Sequence, residues 1–146
     1  MANEFPWIER IRSGGFAAPI GKLLGITLVS VEANQCSMSM VTNETQRNPL
    51  GTLHGGVFCD LGDAAMGVAM LTTLPEVETF TTVELKINFF KPIWNEKLIA
   101  SAKVVRRTRS LGYVECDITD EKGSLAARLG STCLVLRGEA AAGRSG

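Results

Sequence analysis

The chain has 146 residues, of which 45% are hydrophobic and 21% are charged, and its 15 Lys and Arg balance 15 Asp and Glu. This length and composition predict one globular domain with a sizeable core, spanning residues 1–146. The balanced charge excludes a strongly basic nucleic-acid-binding or membrane-surface protein. The longest apolar stretch is too short and too acidic to cross a bilayer.

The N-terminus and the cysteines favour a cytoplasmic protein. The first ten residues lack the basic and apolar regions of a secretory signal. There is one histidine, and the four cysteines are widely spaced with no CxxC pair; they are Cys36, Cys59, Cys116 and Cys133. We therefore expect reduced thiols, no disulfide framework and no metal site.

Residues 1–22 are predicted to form a helical extension. An amphipathic pattern from Phe5 to Ile11 ends at Ser13-Gly14-Gly15, as helices often end at glycines. We expect this short helix to pack over the body of the domain. The segment Phe16–Gly25 carries a second apolar group, and a lid near a ligand is the alternative for that segment.

The next segments predict a hairpin and then one long helix. Ile26–Glu32 and Cys36–Val41 have the composition and alternation of two antiparallel strands. Residues from Val57 to Leu71 are apolar on nearly every side of a helical wheel, which is typical of a buried helix. Pro75 follows the end of that helix.

The second half of the chain is rich in strands. Period-two alternation and short turns predict four of them: Val83–Phe89, Leu98–Thr108, Tyr113–Thr119 and Leu125–Leu136. Residues 138–146 are small and polar, and we expect a flexible tail. One antiparallel sheet that curves around one helix buries that helix, so the predicted fold class is α+β.

Two carboxylates interrupt the apolar helix. Asp60 and Asp63 are three residues apart and share a helix face. An unpaired buried carboxylate costs several kcal/mol or shifts its pKa. We assign Asp60 to the first turn, where the helix dipole favours an acid. Asp63 has no such explanation, so it is the candidate functional acid, with a structural hydrogen-bonded acid as the alternative.

The segment from Asn48 through His54-Gly55-Gly56 to Asp63, with the later Thr81-Thr82, resembles a known family. It is similar to the hotdog-fold acyl-CoA thioesterases of the PaaI type, in the 4HBT-like thioesterase superfamily. The resemblance spans about Leu23 to Leu136. It implies a hotdog fold, in which a curved antiparallel sheet wraps one long central helix. It also implies an acyl-CoA substrate, no cofactor, and a homodimer with shared active sites that assembles into a homotetramer.

The resemblance also implies roles for individual residues. Asp63 matches the general base or nucleophile, and Gly55 matches the glycine whose backbone N–H polarises the thioester carbonyl. The side chains that orient the loop and the attacking water correspond to His54 and Asn48. For His54, catalytic proton transfer is the alternative, and for Asn48 the alternative is a purely structural role in the turn before Pro49. A hydroxyl that holds the water corresponds to Thr81, or to the adjacent Thr82. The residues expected to contact the substrate or CoA are Gly56, Thr82, Arg109 and Ser110.

The spacing of the candidate residues favours a site built from two chains. Asp63 lies roughly 10–12 Å along the helix from Gly55, at 1.5 Å per residue. It therefore cannot easily act on a carbonyl held at the start of its own helix. For the CoA phosphates, the sequence offers a basic group of Arg106, Arg107, Arg109 and Lys91. A solvated strand edge is the alternative for these residues.

Two other functions fit the same residues. One is a hotdog hydratase or dehydratase that acts on acyl thioesters, and the other is a non-catalytic acyl-CoA-binding module. The sequence does not distinguish aryl from fatty acyl groups.

Overall fold

A helix of 17 residues, α3 (Gly55–Leu71), lies against one face of a six-stranded antiparallel sheet. The structure is a computed structural model and describes residues 6–15 and 17–144. The strands are β1 (Thr27–Glu32), β2 (Gln35–Val41), β3 (Thr79–Phe89), β4 (Lys97–Arg107), β5 (Leu111–Thr119) and β6 (Leu125–Leu136). Two short helices precede the sheet, α1 (Pro6–Arg12) and α2 (Pro19–Leu24). The fold is the predicted α+β hotdog fold.

The order of strands in the sheet is β1-β2-β4-β5-β6-β3. After the β1–β2 hairpin, the chain passes through α3 and returns as β3 at the opposite edge. The 11-residue β3 pairs with β6 alone, so its other side carries unpaired backbone groups in the single chain. Its register shifts between Thr82 and Glu84, which leaves Val83 at a bulge. A long, unprotected edge of this kind is where a second chain can add.

Small residues let α3 approach the sheet closely. Ala65 and Ala69 on the helix are fully buried, as are Ala100 of β4 and Ala126 and Ala127 of β6. Larger side chains then fill the spaces between these contacts: Leu61, Met66, Met70, Leu98, Val114, Ile118 and Leu129. A Cβ atom added to Gly62 would lie only 2.5 Å from Leu129 Cδ2. The helix therefore sits at a distance from the sheet that no larger residue at position 62 permits.

The predicted elements are present with shifted ends. β3 begins at Thr79, four residues before the predicted start at Val83. The N-terminal helix packs over the domain as expected and buries Trp7, Ile8 and Ile11, whereas Phe5 and Phe16 lie outside the described residues. α2 buries none of its residues. Gly138–Ala140 forms a short 3₁₀ turn, and the flexibility of residues 138–146 stays a prediction.

We predict that Gly62→Ala destabilises the fold by about 1–3 kcal/mol, because the new methyl group would overlap the buried Leu129 side chain. The control is Gly67→Ala on the same helix, where the added Cβ would meet only Phe80 Cζ at 3.4 Å. This control should raise the stability by about 0.5–1 kcal/mol, since glycine is a poor helix former. Urea unfolding at equal protein concentration measures both changes. Equal effects would contradict the packing account.

Candidate active site

The start of α3 carries a free backbone donor. His54 caps the helix, because its Nδ1 accepts a hydrogen bond from Gly56 N–H at 2.9 Å. Gly55 is the first residue of the helix, where an N–H has no partner within the helix. Among residues 6–15 and 17–144, no acceptor forms a hydrogen bond with the Gly55 N–H. The Gly55 N–H therefore remains available to an external acceptor, with the helix dipole behind it.

A groove of about 430 Å³ lies beside this free donor, and it is lined by Asn48, Thr52, Gly55, Phe58 and Phe89, among others. The Phe58 and Phe89 rings meet edge to face, with centroids 5.5 Å apart. A Cβ on Gly55 would lie 3.0 Å from Phe89 Cζ. Only glycine therefore fits at this position without moving the aromatic wall. Thr52 and these two rings are site residues that the sequence analysis did not single out.

Asn48 shapes the loop that precedes the helix. Its Oδ1 accepts from the backbone N–H groups of Leu50, at 2.9 Å, and Thr52, at 3.2 Å. Its Nδ2 donates to the Thr52 hydroxyl at 3.0 Å. The predicted orienting role of Asn48 is thus possible in this geometry, because the side chain ties residues 48–52 into one turn beside Gly55. Its contact with a water molecule stays a prediction.

Asp63 lies in the third turn of α3 and is open to solvent in the single chain. The expectation that Asp63 is buried is wrong for the single chain, because this side of α3 is not covered by the sheet. Surrounding atoms nevertheless raise the pKa of Asp63 by desolvation, the Thr82 hydroxyl opposes this rise, and Asp60 adds to it. Asp63 is therefore a carboxylate that is reachable and readier to accept a proton than an ordinary aspartate.

Asp60 does not lie in the first turn, so the helix-dipole explanation for it is wrong. The helix begins at Gly55, which makes Asp60 its sixth residue, and the first turn contains no acid. Asp60 is exposed on the same side of the helix as Asp63.

The structure brings Thr82, and not Thr81, to Asp63. The Thr82 hydroxyl donates to Asp63 Oδ1 at 3.4 Å, a long hydrogen bond. Thr82 lies opposite the buried Cys133 and faces the helix, whereas Thr81 lies opposite the partly exposed Leu134 on the outer face of the sheet. Strand alternation separates two neighbours that the sequence could not rank.

Within one chain, Gly55 and Asp63 open into different cavities. Asp63 lines a cavity of about 650 Å³ between α3 and the N-terminal segment. None of the residues that line this cavity lines the groove at Gly55. The eight-residue separation corresponds to about 12 Å along the helix axis. Within one chain, the Gly55 N–H and the Asp63 carboxylate therefore face different cavities.

The predicted basic group is split between the two ends of the domain, which corrects the sequence expectation. Lys91 follows β3 near the start of α3 and forms an ion pair with the buried Asp120. Arg107 lies near the end of α3, where it contacts Thr73 and Glu78. Arg109 and Ser110 occupy the turn beside Arg107, so within the chain they are distant from Gly55. Their contact with CoA stays a prediction.

The thiols in the core are poor nucleophiles. Burial raises the pKa of both Cys36 and Cys116 to about 12. In the part of the chain that the structure describes, no group of three or more His, Cys, Asp or Glu is placed to hold a metal ion. The same residues contain no helix that is long and apolar enough to span a membrane.

Comparison with known proteins identifies the family. The model of the Thioesterase superfamily matches residues 50–127. Human acyl-coenzyme A thioesterase 13 is 30% identical over 122 residues, covering 80% of this chain and 82% of the relative. The 1,4-dihydroxy-2-naphthoyl-CoA hydrolase of Listeria monocytogenes is 28% identical over 102 residues, covering 70% of this chain and 83% of the relative.

The fold comparison agrees with the sequence comparison. The E. coli PaaI protein from the phenylacetic acid degradation operon superposes with a TM-score of 0.82 at 19% identity, covering 90% of this chain and 94% of that one. The chain belongs to the thioesterase superfamily and has the hotdog fold.

We predict that the Asp63 carboxyl titrates above the ordinary aspartate value of about 3.9, because its surroundings disfavour the charged form. Thr82→Val should raise this pKa further, since the hydroxyl that stabilises the carboxylate is lost. Thr82→Ser keeps a hydroxyl and should stay close to the wild-type value. NMR titration of the carboxyl carbon measures all three proteins. A lower pKa in Thr82→Val would contradict the assigned contact.

Proposed function

We propose that the protein hydrolyses acyl-CoA thioesters to a carboxylic acid and free CoA, in sites shared between two subunits. The observation that carries this proposal is the separation of Gly55 and Asp63. The free N–H and the solvent-open acid lie about 12 Å apart in different cavities. Both groups can act on one carbonyl only when the second comes from another chain.

The proposed reaction needs few groups. Asp63 accepts a proton from a water molecule, and the oxygen of that water attacks the thioester carbonyl carbon. The Gly55 N–H of the other subunit donates to the oxygen that becomes negative. The tetrahedral intermediate then expels the CoA thiolate, which takes up a proton, so that thioester and water give acid and thiol. Direct attack by Asp63, with an anhydride intermediate, uses the same residues.

The edge strand β3 supports the dimer. Its free edge adjoins the active-site segment, because Thr82, which contacts Asp63, lies on this strand. Val83 is 56% exposed and Phe89 is 51% exposed in the single chain. Two antiparallel β3 strands paired by their edges would join the sheets and bring the two α3 helices side by side. The homotetramer stays a prediction.

The relatives support a CoA thioester as substrate. The names of the human and Listeria proteins specify acyl-CoA thioesterase and naphthoyl-CoA hydrolase activity, respectively. The two names also differ in the acyl group, one general and one aromatic, so they leave the acyl group of this chain undetermined.

We predict that purified protein releases free thiol from acyl-CoA, and that Asp63→Asn lowers kcat/KM at least about a hundredfold, as loss of a general base does. The matched control is Asp117→Asn on the outer face of the sheet, where Asp117 pairs with Arg128, and it should keep the wild-type rate. A thiol assay and size-exclusion chromatography are run on each protein. Equal loss in both variants, or binding without thiol release, would overturn the proposal. An absorbance change from a new or lost double bond without thiol release would indicate the hydratase alternative.

Mixed dimers test the shared site directly. Asp63→Ala and Gly55→Val should each be inactive alone, the second because valine collides with Phe89 and crowds the donor. A heterodimer of the two contains one complete site, with intact Asp63 from one chain and intact Gly55 from the other. Equal co-expression should therefore restore about a quarter of the wild-type activity, since half of the dimers are mixed and each has one site of two. No restoration, with heterodimers shown by mass spectrometry, would place both residues of a site in one chain.

A further inference from the structure

Gly67 is a glycine in the middle of α3 that packing does not require. Glycine inside a helix lowers its stability relative to alanine. At Gly62 the close approach of Leu129 explains the glycine, whereas a Cβ at Gly67 would meet only the Phe80 ring at an ordinary 3.4 Å. The space that Gly67 leaves open belongs to the cavity that Asp63 lines. Gly67 thus leaves the cavity beside Asp63 open, although a glycine lowers the stability of the helix.

Two walls of the cavity have different origins, and strands β1, β2 and β3 complete its lining with Leu28, Met38 and Phe80. One wall is a stripe of α3 that runs from Asp63 through Ala64, Gly67 and Val68 to Leu71. The opposite wall comes from the N-terminal segment, including Ala17, Ala18 and Ile20. That segment lies outside residues 50–127, which match the family model. The second wall therefore lies outside the part of the chain that the family model matches.

We propose that this cavity holds the aliphatic chain of a fatty acyl-CoA substrate, and that Gly67 and Ile20 determine how long a chain the enzyme accepts. This proposal rests on the proposed thioester hydrolysis, because it places the acyl chain next to Asp63. It answers the question that the sequence and the relatives leave open, namely which class of acyl group the protein selects.

The shape and the chemistry of the cavity favour an aliphatic chain over an aromatic ring. Its volume of about 650 Å³ suits a small-molecule site. The α3 wall extends about 12 Å from Asp63 to Leu71, which is longer than a single ring requires. The wall residues are mostly Ala, Gly, Val, Leu and Ile, with Phe80 as the aromatic contributor among the described lining residues. The charged residues of the lining are all exposed: Lys22, Asp60, Asp63 and Arg144.

Ile20 contributes to this wall from a helix that is weakly attached. α2 buries none of its six residues, and Ile20 is 51% exposed in the single chain. Its neighbour Leu23 is 79% exposed and does not line the cavity. The two side chains therefore form a natural pair for a comparison within one helix.

The first experiment compares acyl-CoA substrates from acetyl to dodecanoyl. For the wild type, we expect kcat/KM to rise about fourfold with each added methylene until the cavity is full. Gly67→Leu should lower the ratio of the dodecanoyl-CoA rate to the acetyl-CoA rate at least about a hundredfold, because its side chain occupies the space of the acyl chain. Gly67→Ala should show a smaller loss of the dodecanoyl-CoA rate relative to the acetyl-CoA rate, with no loss of thermal stability. This variant replaces Gly67→Leu in the test if Gly67→Leu does not fold.

The matched pair on α2 tests the second wall. Ile20→Ala should lower the ratio of the dodecanoyl-CoA rate to the acetyl-CoA rate about tenfold, since long chains lose an apolar contact that short chains do not make. Leu23→Ala should leave both rates unchanged. Equal rates along the substrate series in the wild type, or equal losses on short and long substrates in Gly67→Leu, would overturn the proposal.

A binding measurement separates this proposal from the proposed hydrolysis. Dodecyl-CoA thioether has the chain and the CoA but no thioester, and calorimetry measures its affinity. Tight binding that is lost in Gly67→Leu and kept in Leu23→Ala supports the acyl site even where no thiol is released. Affinity that is the same in Gly67→Leu and the wild type overturns the acyl site, whatever the thioesterase assay shows.

Discussion

The contact between α3 and the sheet is the constraint on which the site depends. Small residues on both surfaces bring the helix close, and Gly62 against Leu129 marks the closest approach. The side of α3 that faces away from the sheet is partly uncovered. That uncovered side carries Asp63, and the end of the helix carries the free Gly55 N–H. Packing in the core thus determines which parts of the helix can meet a ligand.

In the proposed reaction, a second chain is a chemical requirement as well as a structural one. The acid and the donor lie on one rigid helix, so no loop movement within a subunit can bring them onto the same carbonyl. The exposed edge of β3 lies beside the acid through Thr82. In the proposed dimer, the surface that joins the subunits is also the surface that completes the site. Loss of assembly and loss of catalysis would therefore coincide.

The fold class and the position of Asp63 on a long helix could be predicted from the sequence because they depend on local patterns. The period-two alternation of polar and apolar residues predicted the strands, and the apolar run predicted the helix that contains Asp63. The prediction that Asp60 lies in the first turn is wrong because the helix begins at Gly55, two residues before the apolar run. Asp60 is therefore beyond the first turn. Lys91 and Arg107 lie at opposite ends of the domain because strand direction, which short-range patterns do not reveal, separates them. The choice of Thr82 over Thr81 could not be predicted from the sequence, because it depends on the bulge and the register of β3.

The cap at the start of α3 has an electrostatic consequence. Helices are usually capped by Ser, Thr, Asn or Asp, and the aspartate among them places a full negative charge beside the free N–H groups. Here an imidazole nitrogen accepts the Gly56 N–H, and no acid lies in the first turn. This cap orders the start of α3 without placing a carboxylate there that would neutralise the positive end of the helix dipole. An anion that develops beside Gly55 meets an uncompensated positive field, which a carboxylate cap would have weakened.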